Sequence, residues 1–372
     1  VQASDIHIEP QEQRLQIRFR IDGVLHLQAE ADTRVASAVA LRLKLMAGLD
    51  ISEKRLPQDG RFNLRIRDQE IDVRISTMPT QFGESVVMRL LNRGIGLLKL
   101  DNLGMPKPML AHLRQVLDSL SGTIIVTGPT GSGKTTTLYA ALSEINTVGR
   151  KIVTAEDPVE YRLAGISQVQ VNEKIELSFT RILRSALRQD PDIILVGEMR
   201  DAETVQIGLR AAITGHLVLS TLHTRDAAGT PVRLIDMGAP SYMVASALQA
   251  VIAQRLVRLV CESCAEPYAP TAQEAAWLQR ELGAVPQSVA AARGRGCSHC
   301  NATGFRGRTG VYELLEMTPA LAEAAAHSDL GRFVQAAHQQ MAGKTFVHHA
   351  IELALAGRTT LAEAMRISQG ED

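Results

Sequence analysis

The chain lacks a charge bias. In 372 residues, Lys+Arg and Asp+Glu balance at 40 each. No global field of either sign exists to hold nucleic acid or an acidic membrane, so such a contact would need a local patch. Aromatic residues are only 3% of the sequence, which leaves no platform for stacked bases. The longest mostly apolar stretch, 242–260, is broken by Gln249, Gln254, Arg255 and Arg258. It is too polar for a membrane span, and a buried amphipathic helix is expected there. No signal peptide is visible, so cytoplasmic residence is expected. The first residue is valine, and a fragment without its natural N-terminus is expected. The N-K-x-D run of a GTPase switch is missing; the nearest match, Asn172-Glu173-Lys174-Ile175, does not fit. The remainder, 45% apolar and 22% charged, is ordinary for a soluble protein of roughly two or three domains.

Against that plain background one run stands out. Residues 128–135 read Gly-Pro-Thr-Gly-Ser-Gly-Lys-Thr, a G-x-x-x-x-G-K-[ST] phosphate loop. It follows the apolar run Thr123-Ile124-Ile125-Val126 and precedes a helix-like stretch that begins at Thr136. Gly128, Gly131 and Gly133 let the backbone curl and aim successive N–H groups at phosphate oxygens. Pro129, Thr130 and Ser132 complete the loop, Lys134 reaches the β- and γ-phosphates, and Thr135 can ligate Mg²⁺. All of 128–136, Thr136 included, are candidate nucleotide contacts.

Three further segments carry carboxylates or histidines at the ends of strand-like runs. Asp192–Val196 reads as a buried strand, and Gly197-Glu198 follows it. Glu198 is the available carboxylate for the metal side of the site. Lys151–Ala155 reads as another strand, followed by Glu156-Asp157-Pro158-Val159-Glu160. Acids at the C-terminal end of a parallel strand lie where ligands bind. Glu160 is the first choice to orient or deprotonate water, with Glu156 second; a solvated acidic turn is the alternative. Gly215–Thr224 carries His216 and His223 at its two ends, each either a γ-phosphate partner or a structural residue. Ser178 is placed to cap a helix on which Arg181, Arg184 and Arg188 share a face, basic by pattern and solvated by default. The only cysteines, Cys261-x₂-Cys264 and Cys297-x₂-Cys300, have zinc-ribbon spacing. Four thiolates would close a tetrahedral, structural Zn²⁺ site; disulfides are the alternative.

Residues 1–92 alternate as strands, with one helix from Thr33 to Gly48 whose inner side is expected to be Val35, Val39, Leu43 and Met46. An Asp22-Gly23 turn between strands is also expected. Residues 93–105 read as a linker. From 106 to 255, strands and helices alternate, which implies a parallel sheet covered by helices. Residues 256–312 hold the cysteines, and 313–372 look helical.

Taken together these motifs resemble the bacterial secretion and pilus-assembly ATPases, the GspE/PilB branch of the type II/type IV secretion superfamily, over essentially the whole chain. Ala3–Pro10 is similar to the opening of that family's PAS-like α+β domain, Gly128–Thr135 to its Walker A loop, and Glu156–Tyr161 to its Asp box. Gly197-Glu198 resembles its atypical Walker B, and Gly215–Thr224 its His box. The resemblance implies an α/β chain with a RecA-like P-loop core, a Cys₄ zinc subdomain and a C-terminal helical region. It implies ATP as the nucleotide, Glu160 as catalytic glutamate and Glu198 as Walker B glutamate. It also implies that Arg74 and Arg89 reach the phosphates when domains close, with Arg184 and Arg188 as further arginines. A homo-hexamer is implied, peripheral to the cytoplasmic face of the inner membrane and acting on a membrane platform protein, with no nucleic acid. The 49–60 and 261–267 segments look most like the mannose-sensitive haemagglutinin pilus subtype. Two rivals stand beside this motor: a RecA-like nucleic-acid translocase, and a nucleotide-gated scaffold with little turnover.

Overall fold

The computed structural model describes residues 3–66, 69–92, 99–283, 291–327 and 329–369. It divides the chain into two compact units, Val1–Gly96 and Leu97–Asp372. The division falls inside the expected linker, of which residues 93–98 lie outside the described residues.

The first unit is a six-stranded antiparallel sheet in the order β3-β2-β1-β6-β5-β4. Its elements are β1 (Ala3–Pro10), β2 (Arg14–Ile21), β3 (Val24–Asp32), α1 (Ala36–Ala47), β4 (Gln58–Ile66), β5 (Gln69–Thr80) and β6 (Gly83–Asn92). Asp22 and Gly23 both have positive φ, 49° and 88°. That backbone matches the twist of the strands it joins, so the expected hairpin forms. Ile8, Leu15, Val73, Ile75, Val86 and Met88 pack under α1. The inner side of α1 differs from the expected one. A 3-10 turn over Thr33–Val35 precedes the helix and shifts its phase. Ala36, Ala40, Leu43 and Ala47 join Val39 against the sheet, while Val35 and Met46 are exposed. Lys44 is buried instead, paired with Glu84 and donating to the Glu53 carbonyl at 2.6 Å.

The second unit is built on a seven-stranded sheet in the order β15-β12-β7-β11-β10-β8-β9. Its strands are β7 (Gly122–Thr127), β8 (Ile152–Glu156), β9 (Ser167–Gln170), β10 (Ile193–Val196), β11 (Leu217–Leu222), β12 (Leu248–Val260) and β15 (Phe305–Glu316). Every pairing is parallel except that of β15 with β12. Helices α2 (Lys107–Leu117) and α3 (Lys134–Ile145) cover one face, where Ile124, Val126 and Leu219 point. Helices α4 (Phe179–Ala186), α5 (Ala202–Ile213), α6 (Gly229–Asp236) and α7 (Ser241–Ala247) cover the other, where Ile125, Ile194 and Val218 point. Burial on both faces explains the continuous apolar runs. A short ribbon, β13 (Ala265–Pro267) with β14 (Ala292–Gly294), is flanked by the two cysteine pairs. Helix α8 (Ala272–Leu282) packs with α11 (Phe346–Leu355) and α12 (Leu361–Gln369), while α9 (Pro319–Ala326) and α10 (Leu330–Gln340) extend the α4–α7 layer.

The helix expected over 242–260 is mostly a strand. Only Ser241–Ala247 is helical, and Leu248–Val260 is a 13-residue strand between β7 and β15. A strand buried on both faces shows no alternation, so period alone cannot separate it from a buried helix. The polar residues that read as a helix's wet side each find a fixed partner. Gln249 donates to the Ser121 carbonyl, Gln254 to that of Ser132, Arg255 to that of Arg225, and Arg258 pairs with Glu363. Strands β12 and β15 therefore run through the boundaries expected at 255/256 and 312/313. The tetracysteine segment is an insertion between two strands of the main sheet.

Candidate functional site

The parallel strands end together, and their C-terminal ends carry the candidate residues. The phosphate loop leaves β7 at Thr127 and enters α3 at Lys134. Gly128, Gly131 and Gly133 hold φ of 145°, 82° and 88°. A Cβ at Gly128 would come within 2.4 Å of the Gln254 carbonyl oxygen, and one at Gly133 within 2.7 Å of the Gln254 amide nitrogen. Only glycine fits there. Gln254 braces the loop: its amide donates to the Ser132 carbonyl at 2.6 Å and its oxygen accepts from Thr137 at 2.7 Å. Lys134 Nζ curls back to donate to the carbonyls of Gly128 at 2.7 Å and Pro129 at 2.8 Å. Among the described residues the buried Ser132 hydroxyl has no hydrogen-bond partner, and Thr135 is exposed. A cradle of main-chain N–H groups with one lysine and an orphaned hydroxyl fits a nucleotide's phosphates.

The acidic turn after β8 divides its roles. Glu156 is buried and fully engaged. It accepts from the Tyr139 hydroxyl, from Thr154 at 2.5 Å and from Gln168 at 3.1 Å. Burial, and then the Glu156 carboxylate, push the Tyr139 hydroxyl's pKa up, so it stays a donor. The Glu160 N–H donates to the same hydroxyl at 3.3 Å, which fixes the half-buried Glu160 beyond it. Tyr139 stands on the helix that follows the phosphate loop, so one side chain sets the turn against the loop.

Glu198 lies two residues past β10 and pairs with Arg200, whose guanidinium is also 3.7 Å from Asp157. His223 Nε2, one residue past β11, is 3.9 Å from Glu198. Burial lowers the His223 pKa and the Lys134 charge lowers it further, which favours a neutral ring that can hydrogen-bond. Thr224 ties this strand end to the phosphate loop: its N–H donates to Thr127 Oγ1 at 2.9 Å.

The other candidates stand elsewhere. His216 precedes β11 at the opposite end of the sheet, its Nδ1 2.9 Å from the Ala211 carbonyl oxygen. Six residues of strand, about 20 Å, separate it from the phosphate loop. Of the two histidines, the fold brings only His223 to the site of its own chain. Arg184, on the exposed side of α4, pairs with Glu203, and Arg188, exposed in the turn just after α4, donates to the Arg184 carbonyl at 2.8 Å. Arg74 and Arg89 are directly opposite each other on β5 and β6. Tyr139, Arg200 and Gln254 escape sequence reasoning, since Glu156 is 17 residues from Tyr139, Asp157 is 43 (200 − 157) from Arg200 and Ser132 is 122 from Gln254, and no local motif carries them.

The cysteines converge. All four are free, and their sulfurs lie within 4.8 Å of one another, with Cys261–Cys297 at 3.9 Å, Cys264–Cys300 at 3.8 Å and Cys297–Cys300 at 3.7 Å. Zn–S bonds of about 2.3 Å in a tetrahedron put sulfurs about 3.8 Å apart. The N–H groups of Cys297 and Gly304 point at Cys300 Sγ, at 3.2 and 3.3 Å, as a thiolate would require. The cluster can hold a metal. Among the described residues, no helix is long and apolar enough to cross a membrane.

A parallel sheet with a glycine-cradled lysine, and acids just past the ends of β8 and β10, defines a RecA-like P-loop ATPase. The family model for "Type II/IV secretion system protein" matches residues 1–366, and the chain belongs to that family. It is 45% identical over 369 residues to a type II secretion system protein E of Pseudomonas aeruginosa, covering 99% of this chain and 73% of that protein. It is 47% identical over 369 residues to the type II secretion system ATPase E of Vibrio cholerae, covering 99% and 72%. Among solved structures it is similar to the pilus retraction motor PilT with bound ADP, at 28% identity, TM-score 0.65, and coverage of 98% and 93%. The Legionella pneumophila ATPase DotB shares the fold at 21% identity, TM-score 0.70, covering 99% and 92%. The Pseudomonas and Vibrio relatives carry type II secretion names, and the haemagglutinin-pilus subtype stays an expectation.

Proposed function

We propose that this ATPase works as a ring of six copies at the cytoplasmic face of the inner membrane. There it drives assembly of a secretion pseudopilus or type IV pilus by acting on a membrane platform protein. The observation that carries the reading is the convergence of the phosphate loop, Glu160, Glu198 and His223 at one end of a single sheet. Thr135 and Glu198 are the residues that would hold Mg²⁺, whose charge would screen the phosphates. Residues 128–136 hold the phosphates, Glu160 orients the attacking water, and His223 hydrogen-bonds near the γ-phosphate. Glu156 is a brace, because its oxygens already accept from three side chains. A structural Zn²⁺ on Cys261, Cys264, Cys297 and Cys300 completes the cofactors.

Lys134→Ala is expected to abolish turnover and greatly weaken ATP binding, since the phosphates lose their main counter-charge. Glu160→Gln is expected to keep ATP binding and block turnover, since an amide cannot act as a base. Parent-rate hydrolysis by Glu160→Gln in the assembled protein would overturn the assignment of the base. A scaffold with little turnover would show single-turnover hydrolysis no faster in the parent than in this variant.

A further inference from the structure

Glu313 sits on β15 opposite Ala253, and only 2% of it is exposed. Oε1 accepts the Ala227 N–H at 2.7 Å, and Oε2 accepts the Phe346 N–H at 3.4 Å. Ala227 closes the loop that follows β11, and Phe346 is the first residue of α11. On the neighbouring strand, Arg255 is 5% exposed. Its guanidinium donates to the Arg225 carbonyl at 2.6 Å and to the Gln254 carbonyl at 3.2 Å, and lies 5.2 Å from the centre of the Phe346 ring. Two buried ionisable side chains thus grip one short loop by its main chain, and both also touch Phe346. Burying a carboxylate and a guanidinium is unfavourable unless specific partners recover the lost hydration. An apolar pair would fill these strand positions more cheaply. What the charged pair adds is a fixed position for residues 223–227, which carry His223 and Thr224.

We propose that Glu313 and Arg255 are positioning residues: they hold the loop 223–227 in register with the phosphate loop and link its position to the start of α11. The proposal rests on the reading that His223 faces the nucleotide. Burial, with Asp226, pushes the Glu313 pKa up to about 7, and the two N–H groups and the Arg255 charge work against that rise by favouring its carboxylate form. Its grip is therefore held by these few partners and is sensitive to losing one.

The test is amide hydrogen exchange on the full chain, alone and with a non-hydrolysable ATP analogue, together with steady-state kinetics. In the parent, nucleotide should slow exchange at 128–136, at 223–227 and at 346–350. Glu313→Gln keeps the volume, but its amide has one acceptor oxygen and sets an NH₂ against the second N–H. It should lower kcat by about tenfold, the size of one charge-assisted hydrogen bond, with KM for ATP within about twofold. Nucleotide should still protect 128–136 in this variant, and the response at 346–350 should vanish. Arg255→Lys, which keeps the charge but loses the fork, should show the same split between kcat and KM. Parent-like kcat in both variants, or a parent-like response at 346–350 in Glu313→Gln, overturns the proposal. A parent in which nucleotide protects 128–136 but not 223–227 overturns the His223 reading, and this proposal with it.

Discussion

His349 and Glu313 are 8% and 2% exposed, and their protonation pulls stability in opposite directions. Burial, aided by the Arg358 charge, pushes the His349 pKa down from 6.5 to about 4. The unfolded chain then binds the proton more readily, so this contribution is full above about 6.5 and is lost as pH falls towards 4. Burial pushes the Glu313 pKa up from 4.5 to about 7. Its contribution is full below about 4.5 and is lost as pH rises through 7. Each is on the order of 3 kcal/mol, so the two slopes largely offset each other between those limits. Chemical denaturation at a series of pH values should separate them. Glu313→Gln should gain stability relative to the parent as pH rises through that window, and His349→Gln should lose it. Two variants with the parent's slope would show that neither group titrates this way. At this scale the sequence exposes residues whose role is local. The three loop glycines are needed because two would clash with Gln254 and all have positive φ. Lys134 and the cysteine pairs are legible for the same reason. Gln254 and Glu313 are not, because each acts through a partner 86 or more residues away.

At the scale of elements, the strands that β-branched runs mark plainly are legible, and a strand whose polar residues are held by fixed partners is not. β7 and β10 follow from Thr123–Val126 and Asp192–Val196, whereas β12 was hidden because Gln254, Arg255 and Arg258 imitate the polar side of a helix. That correction changes what zinc should support. Cys261 lies one residue past β12, and Cys300 precedes β15. Both strands are held by the main sheet, so metal loss should release the cysteine loops and leave the strands paired. Trp277, the only tryptophan, reports on the neighbouring cluster. It packs with Leu278, Leu361 and Ile367, and its indole N–H donates to Ser368 at 3.1 Å. Chelation should make the four thiols reactive and protease cleavage near 297–304 faster, with Trp277 fluorescence nearly unchanged. A purified chain with far less than one zinc per chain and four thiols already reactive would sink the metal assignment. A large shift in Trp277 emission on chelation would instead mean that zinc supports α8 and α12 as well.

On the scale of the whole molecule, the first unit carries a feature that neither composition nor local pattern shows. Strand register places Arg20, Asp5, Arg89, Arg74 and Arg61 in one row across β2, β1, β6, β5 and β4. Directly opposed residues share a face of the sheet, so four guanidinium groups and one carboxylate project on the same side. Asp5 answers part of that charge, at 3.0 Å from Arg89 and 3.9 Å from Arg20. A row of like charges is costly on its own and becomes favourable when an anion faces it. Such a row fits an anion, and we propose that Arg74 and Arg89 meet a phosphate of bound ATP, as the family resemblance implies. Arg74→Ala and Arg89→Ala should then lower kcat with a smaller effect on nucleotide binding. Arginines that stabilise a transferring phosphoryl group are worth roughly 10³–10⁵ in rate, shared here between two side chains. A solvated arginine would cost little. The measurement is steady-state turnover beside equilibrium binding of an ATP analogue, both in the assembled protein. Arg89→Ala also leaves Asp5 without its nearer partner, so Arg89→Lys is the companion variant: it restores a charge near Asp5 but not the bidentate fork. If kcat falls in Arg89→Lys while binding holds, the fork meets the phosphate. If Arg74→Ala, Arg89→Ala and Arg89→Lys all turn over like the parent, the row is surface charge and the phosphate's partner must come from elsewhere in the chain.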